Sequence, residues 1–173
     1  MRFLTALVLA IVVLATPSLA QQHEAAQCQA PPIPAMRRSS DFFTDEQENE
    51  LGRVIDAQIQ QSEKVIDEPE LTGYPTKIGA RLQAHLPPTG LRFHYYLVDL
   101  PRANAFSIPG GYIYVSRKLV AFMRSDDELA AVLGHEMGHI VTHQGAIRMT
   151  RAMRELLKVD HIQSPEIFDR YNQ

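Results

Sequence analysis

His135-Glu136-Met137-Gly138-His139 sets two imidazoles four residues apart, with a carboxylate between them. On a helix, positions i and i+4 share one face, a turn apart. Two imidazoles so placed can both reach one Zn²⁺, at Zn–N distances of about 2.0–2.1 Å. Glu136 stands about 100° around the helix from His135, beside such an ion rather than on it. Zn²⁺ polarises a carbonyl and brings the pKa of water towards ~7. Glu136 can then take the water's proton as general base and hand it to a leaving amine. The pattern thus points to peptide-bond hydrolysis, with His135 and His139 as metal ligands, Glu136 as the catalytic residue and Zn²⁺ as the cofactor. Its substrates would be proteins or peptides.

A catalytic zinc site takes three protein ligands and keeps one position open. An extension with Gly at 142 and His at 145 is not present, because Thr142 and Gly145 stand there. The downstream carboxylates are Glu155, Asp160, Glu166 and Asp169, with His161 as an imidazole alternative. Glu155 lies 16 residues beyond His139. On one straight helix that is about 24 Å away, so only a break near Gly145 or after Val159 would fold these groups back. None stands out as the third ligand. His143 continues the face of His135 and His139, one turn too far for an ideal contact. It reads either as a supporting or substrate-side group or as a plain surface histidine.

The elements that must position these groups can be read from caps and periodicity. Thr44-Asp45-Glu46-Gln47 is a capping-box start, and Leu51, Val54, Ile55 and Ile59 recur at helical spacing. They predict a helix over about 45–62. A second helix is expected over about 69–86, with Leu71, Tyr74, Ile78 and Leu82 on one face and Pro87-Pro88-Thr89-Gly90 ending it. Residues 91–100 alternate in part and are rich in aromatic and β-branched side chains, the pattern of a strand. Residues 104–108 and 112–115 read as two further strands joined through Pro109-Gly110-Gly111, a hairpin. Ser116 can cap a short helix over about 117–123. Ser125-Asp126-Asp127-Glu128 is a second capping box. It opens the helix that carries the histidines, expected to run to about 144, with helical pattern resuming over about 146–158. Ser164-Pro165-Glu166 can start one more. Gly134 and Gly138 each weaken the histidine-bearing helix by about 1 kcal/mol; a close backbone approach or small-residue helix packing would account for them.

The chain has 173 residues, 45% of them hydrophobic and 21% charged. That suits one domain with a sizeable core and excludes a wholly disordered, collagenous or polytopic membrane chain. The net charge of −3 carries no basic excess, which argues against nucleic acid as a partner. Met1-Arg2, the apolar run Phe3 to Ala15 and Pro17-Ser18-Leu19-Ala20 form a secretory signal over residues 1–20. The run is short for a bilayer, so no stable span is expected once the signal is cleaved; an uncleaved anchor is the alternative. Residues 21–40, with Pro31-Pro32-Ile33-Pro34 and Arg37-Arg38, read as a flexible linker. Cys28 is the chain's single cysteine. No internal disulfide can form, and the residue reads as a free thiol in the leader or one half of an intermolecular bridge.

Four segments in order carry a resemblance to a known family. They are Glu50-Leu51-Gly52; Tyr74 to Leu82; Asn104-Ala105-Phe106-Ser107-Ile108-Pro109-Gly110-Gly111-Tyr112-Ile113-Tyr114-Val115; and Asp127 to His139. Together they resemble the HtpX / CAAX prenyl protease family of zinc metallopeptidases, in its soluble exported BepA-like and Oma-like branch. The resemblance implies zinc on His135 and His139, Glu136 as general base, and a hairpin flanking the cleft. It implies an α+β fold of zincin-like, gluzincin type: N-terminal helices, a small mainly antiparallel sheet and the HExxH helix packed against it.

In that family the third ligand is a glutamate on a later helix, in an E-x-x-A-D type sequence. Glu155-Leu156-Leu157-Lys158-Val159 and Glu166-Ile167-Phe168-Asp169 do not match that sequence. Residues 41–173 are therefore expected to form the N-terminal part of a metallopeptidase domain that lacks the third-ligand helix. The function implied is zinc-dependent endopeptidase action on exported or misfolded envelope proteins, in the periplasm. The alternatives are a secreted or signal-anchored protein and, for function, a catalytically incomplete module that binds unfolded chains without cutting them.

Overall fold

The structure, a computed structural model, describes residues 42–86 and 88–158. The signal over 1–20, the linker over 21–40 with Cys28, and the helix expected at Ser164 lie outside the described residues. So do Asp160, His161, Glu166 and Asp169.

Thr44 starts helix α1 (Asp45–Ser62) with the expected reciprocal cap. Its hydroxyl accepts from the Gln47 N–H, and the Gln47 side chain accepts from the Thr44 N–H. The buried side of α1 is not the simple apolar stripe that the spacing suggested. It consists of Glu48, Leu51, Gly52 and Asp56, two of them carboxylates that need partners once out of water. After α1 comes a short strand, β1 (Val65–Ile66), which the sequence reading missed because two residues show no alternation.

Helix α2 (Pro69–Gln83) ends three residues before its expected limit. Pro69 is favourable in its first turn, and Pro75 is accommodated within it. Tyr74, Ile78 and Leu82 face the core as expected, but Leu71 is 48% exposed.

The sheet holds β1, β2 (His94–Val98), β3 (Ala105–Ile108) and β4 (Tyr112–Ser116) in the order β1-β2-β4-β3. The expected hairpin is present, with Phe106 opposite Tyr114 and Ser107 opposite Ile113. The pairing of β2 with β4 is parallel, and the other two pairings are antiparallel. The sheet is thus mixed, and the fold is α+β. Between β3 and β4, Gly110 and Gly111 have φ of 79° and 96°, a region open to glycine at little cost. A Cβ on Gly111 would also lie 1.9 Å from the Arg92 carbonyl oxygen.

Side chains alternate across the sheet. One face carries His94, Tyr96, Tyr112, Tyr114 and Phe106, stacked with centroid distances between neighbours of 4.8 to 6.4 Å. α1 lies on this side, so close that a Cβ on Gly52 would fall 2.1 Å from the Pro109 carbonyl oxygen. The Tyr114 hydroxyl donates to Asp56; burial first, then this carboxylate, raise its pKa above the usual phenol range. The other face presents Ile113 and Val115 to Ile78 of α2 and to Leu129, Leu133, Met137 and Ile140, forming the main core. Those last four residues belong to α4 (Asp126–Val141), which follows the short Ser116-capped α3 (Arg117–Phe122).

α4 ends three residues short of its expected limit. α5 (Gln144–Ala152) follows at once and widens into a π-type turn over Met153–Leu157. A second cluster of Phe43, Leu51, Ala146 and Met153 binds α5 to α1. Among the described residues no helix is long and apolar enough to cross a membrane.

Candidate metal centre

α4 is started by Ser125, whose hydroxyl accepts from the Glu128 N–H at 3.3 Å. Only half of the capping box forms. The Glu128 carboxylate accepts instead from the Arg124 N–H and guanidinium, and this pairing lowers its pKa. Asp126, Asp127 and Glu128 fill the first turn, where the helix dipole favours negative charge. The buried stripe of Leu129, Leu133, Met137 and Ile140 fixes how the helix is rotated. That rotation leaves His135 exposed and His139 half-buried, and turns Glu136 inward at 7% exposure.

The three groups predicted to do chemistry are brought together. The Nε2 atoms of His135 and His139 face each other at 3.0 Å, with the rings nearly perpendicular at 83°. One ligand atom from each of His135, Glu136 and His139 falls within 4.8 Å of the others. Two nitrogens on one tetrahedral zinc lie roughly 3.3 Å apart, so small side-chain rotations fit this pair to the ion. Imidazole donors suit zinc, copper, iron and nickel alike.

Ser107 on β3 donates its hydroxyl to Oε2 of Glu136 at 2.8 Å. It stands opposite Ile113 on the face that meets α4, so strand alternation carried the signal for this contact. A second unforeseen group is Gln144, whose Oε1 accepts from Nδ1 of His139 at 2.7 Å.

His143 does not extend the histidine face. α4 has already ended, and His143 adopts a left-handed conformation with φ 55° and ψ 27°. For a non-glycine residue this costs about 1–2 kcal/mol. Its Nδ1 donates to Oε2 of Glu48 at 2.6 Å, and Glu48 is 5% exposed. The reading of His143 as a surface residue is therefore replaced by a tie between α1 and the end of α4. Glu155 is exposed in the turn after α5 and does not join the histidines, although a break does occur at His143. Among the described residues no further His, Cys, Asp or Glu joins them. A Cβ on Gly134 or Gly138 would meet nothing within 4 Å, so no close backbone approach explains these glycines; the outer side of α4 is open there.

An α+β domain with two facing imidazoles and a braced carboxylate on its central helix has the parts of a metal-dependent hydrolase. Comparison with known proteins gives the family. The pattern of peptidase family M48 matches residues 76–162, and the chain belongs to that family. It is 34% identical over 110 residues to a beta-barrel assembly-enhancing protease of Yersinia pestis, covering 64% of this chain and 22% of that protein. It is 29% identical over 109 residues to the protein of that name in Escherichia coli K12, covering 63% of this chain and 22% of the relative. The mitochondrial metalloendopeptidase OMA1 of Schizosaccharomyces pombe is 33% identical over 84 residues, 47% of this chain and 25% of that protein. The matched regions thus span between about a fifth and a quarter of these relatives' own length.

Proposed function

We propose that the chain is a zinc-dependent metalloendopeptidase that hydrolyses peptide bonds in exported or misfolded envelope proteins. The observation that carries this reading is the 3.0 Å approach of the two Nε2 atoms beside the Ser107-braced Glu136, in a chain of family M48. His135 and His139 would hold Zn²⁺ through Nε2. The ion would supply Lewis acidity, polarising a peptide carbonyl and acidifying a water.

Glu136 supplies the base. Ser107 engages Oε2, so Oε1 is the oxygen that accepts a proton from water and returns it to the departing amine. β3 is an edge strand of the sheet and carries Ser107. An extended polypeptide adding along that edge would run its backbone past Glu136. The names of the bacterial relatives support envelope proteins as substrates. The signal at residues 1–20 supports export, with the periplasm as the compartment.

One observation favours a second reading. The described residues offer two imidazoles and Glu136 but no further ligand, fewer than the three a catalytic zinc site uses with its base left free. On that reading the chain holds non-native polypeptide along β3 without cutting it.

One experiment separates the two. Zinc content and casein cleavage are measured for wild type, His139→Ala and Glu136→Gln. The peptidase reading expects tight zinc lost in His139→Ala, and cleavage abolished by chelator and restored by zinc. Casein retention with no cleavage at any zinc concentration decides for the binding module.

A further inference from the structure

We infer that Gln144 is a positioning residue for His139, and that the Glu48–His143 tie exists to deliver it. Five residues along an uninterrupted helix amount to a rotation of about 140° from the starting face. Gln144 could not reach the ring of His139 from such a position. The left-handed residue His143 ends α4 and redirects the chain, and Gln144, the first residue of α5, then turns back onto the ring at 2.7 Å. The carboxylate of Glu48, from the first turn of α1, accepts from the His143 ring and holds that unusual backbone in place. Gly145 completes the fit: a Cβ there would press within 2.8 Å of the Pro109 ring.

The chemical consequence lies at Nδ1 of His139. The oxygen of Gln144 can only accept, so the proton of neutral His139 sits on Nδ1 and the lone pair on Nε2. That is the tautomer a metal at Nε2 requires, and partners of this kind set both the tautomer and the ring orientation of metal-binding histidines. In the metal-free chain the proton between the two Nε2 atoms must then belong to His135, which donates to His139. His139 is thus organised before any ion arrives, whereas His135 must move its proton to Nδ1 to bind one, and α1 contributes through Glu48, by way of His143.

This inference rests on the metallopeptidase reading for its purpose but not for its test. The full chain, labelled with ¹⁵N in histidine and freed of metal, is examined by two-bond ¹H–¹⁵N correlation NMR, with His139→Gln used to identify the His139 signals. Wild type is expected to show His139 protonated on Nδ1. Gln144→Met, matched in size but without an acceptor, should mix the tautomers or move the proton to Nε2, and should weaken zinc binding by about 10- to 100-fold. Gln144→Glu, which still accepts, should keep the Nδ1 proton and most of the affinity.

Wild-type His139 protonated on Nε2 overturns the inference even if no variant folds. An unchanged tautomer in folded Gln144→Met overturns it as well. A wild-type chain with the Nδ1 proton but no zinc affinity overturns the metallopeptidase reading instead, and leaves the positioning role standing.

Discussion

Two groups of histidine and carboxylate are built around the second half and the end of α4. His135, Glu136 and His139 come from one turn of α4; His143, Glu48 and Asp45 join the end of that helix to the start of α1. In both groups the potential ligand atoms fall within 4.8 Å of one another, so proximity does not distinguish them. Their hydrogen bonds do. In the first, the outer contacts come from Ser107 and Gln144, and the two Nε2 atoms are left facing each other. In the second, imidazole and carboxylate satisfy each other directly at 2.6 Å, with Glu48 almost wholly buried. The proposed ion site has its supporting contacts on Glu136 and on the far side of His139, away from the facing Nε2 pair. The structural tie has its contact between its own members.

The sharpest way to break this distinction is to remove the proposed base, Glu136, from the first group. Glu136→Gln keeps the size of the side chain and its contact with Ser107, but not the basicity. Peptide cleavage should fall by about 10²- to 10⁴-fold, while bound zinc stays at the wild-type level. A variant that cleaved casein at the wild-type rate would remove Glu136 from the chemistry. The matching change in the second group is Glu48→Ala, which should act on stability. A hydrogen bond involving charged groups contributes about 1.5–3 kcal/mol, and urea unfolding should show a loss of that size. The zinc-to-protein ratio at saturation should remain one. If Glu48→Ala instead removed a second equivalent of zinc, the two groups would be the same kind of site.

Much of the first group could be read from the sequence, and much of the second could not, for a physical reason. The spacing of His135 and His139 is local, and a helix converts it directly into a shared face. The caps at Thr44, Ser116 and Ser125 are equally local, and the helices they open begin where expected. The hairpin was legible because Pro109-Gly110-Gly111 fits only a turn. The Glu48–His143 pair joins residues 95 positions apart, and no periodicity reports such a contact. It also reversed a local reading: α4 looked three residues longer because nothing near His143 announces a left-handed turn. β1 escaped because its pairing with β2, not its composition, makes it a strand. The parallel pairing of β2 with β4 likewise depends on topology that side-chain alternation does not encode.

The smallest expected effect tests the same accounting on a group with no partner. The hydroxyl of Tyr95 is buried and makes no hydrogen bond among the described residues. Its ring packs so tightly against α2 that a Cβ on Gly79 would lie 2.3 Å from it. Burial pushes this phenol from 10.0 up to about 12. A lone buried hydroxyl is a cost to the folded state, so Tyr95→Phe should leave stability unchanged or raise it by up to about 1 kcal/mol at neutral pH. The sign of the pH dependence is fixed. As pH rises through 10 the unfolded chain ionises this phenol, whereas the folded chain keeps its proton until about 12. Wild type therefore loses stability across that interval and Tyr95→Phe is spared this part of the loss. Urea midpoints for the two proteins should lie close together at pH 7 and move apart, in favour of Phe, towards pH 11. A variant less stable than wild type at both values would mean that the hydroxyl is paired in solution. Tyr95 would then belong with Glu48 among the satisfied buried groups.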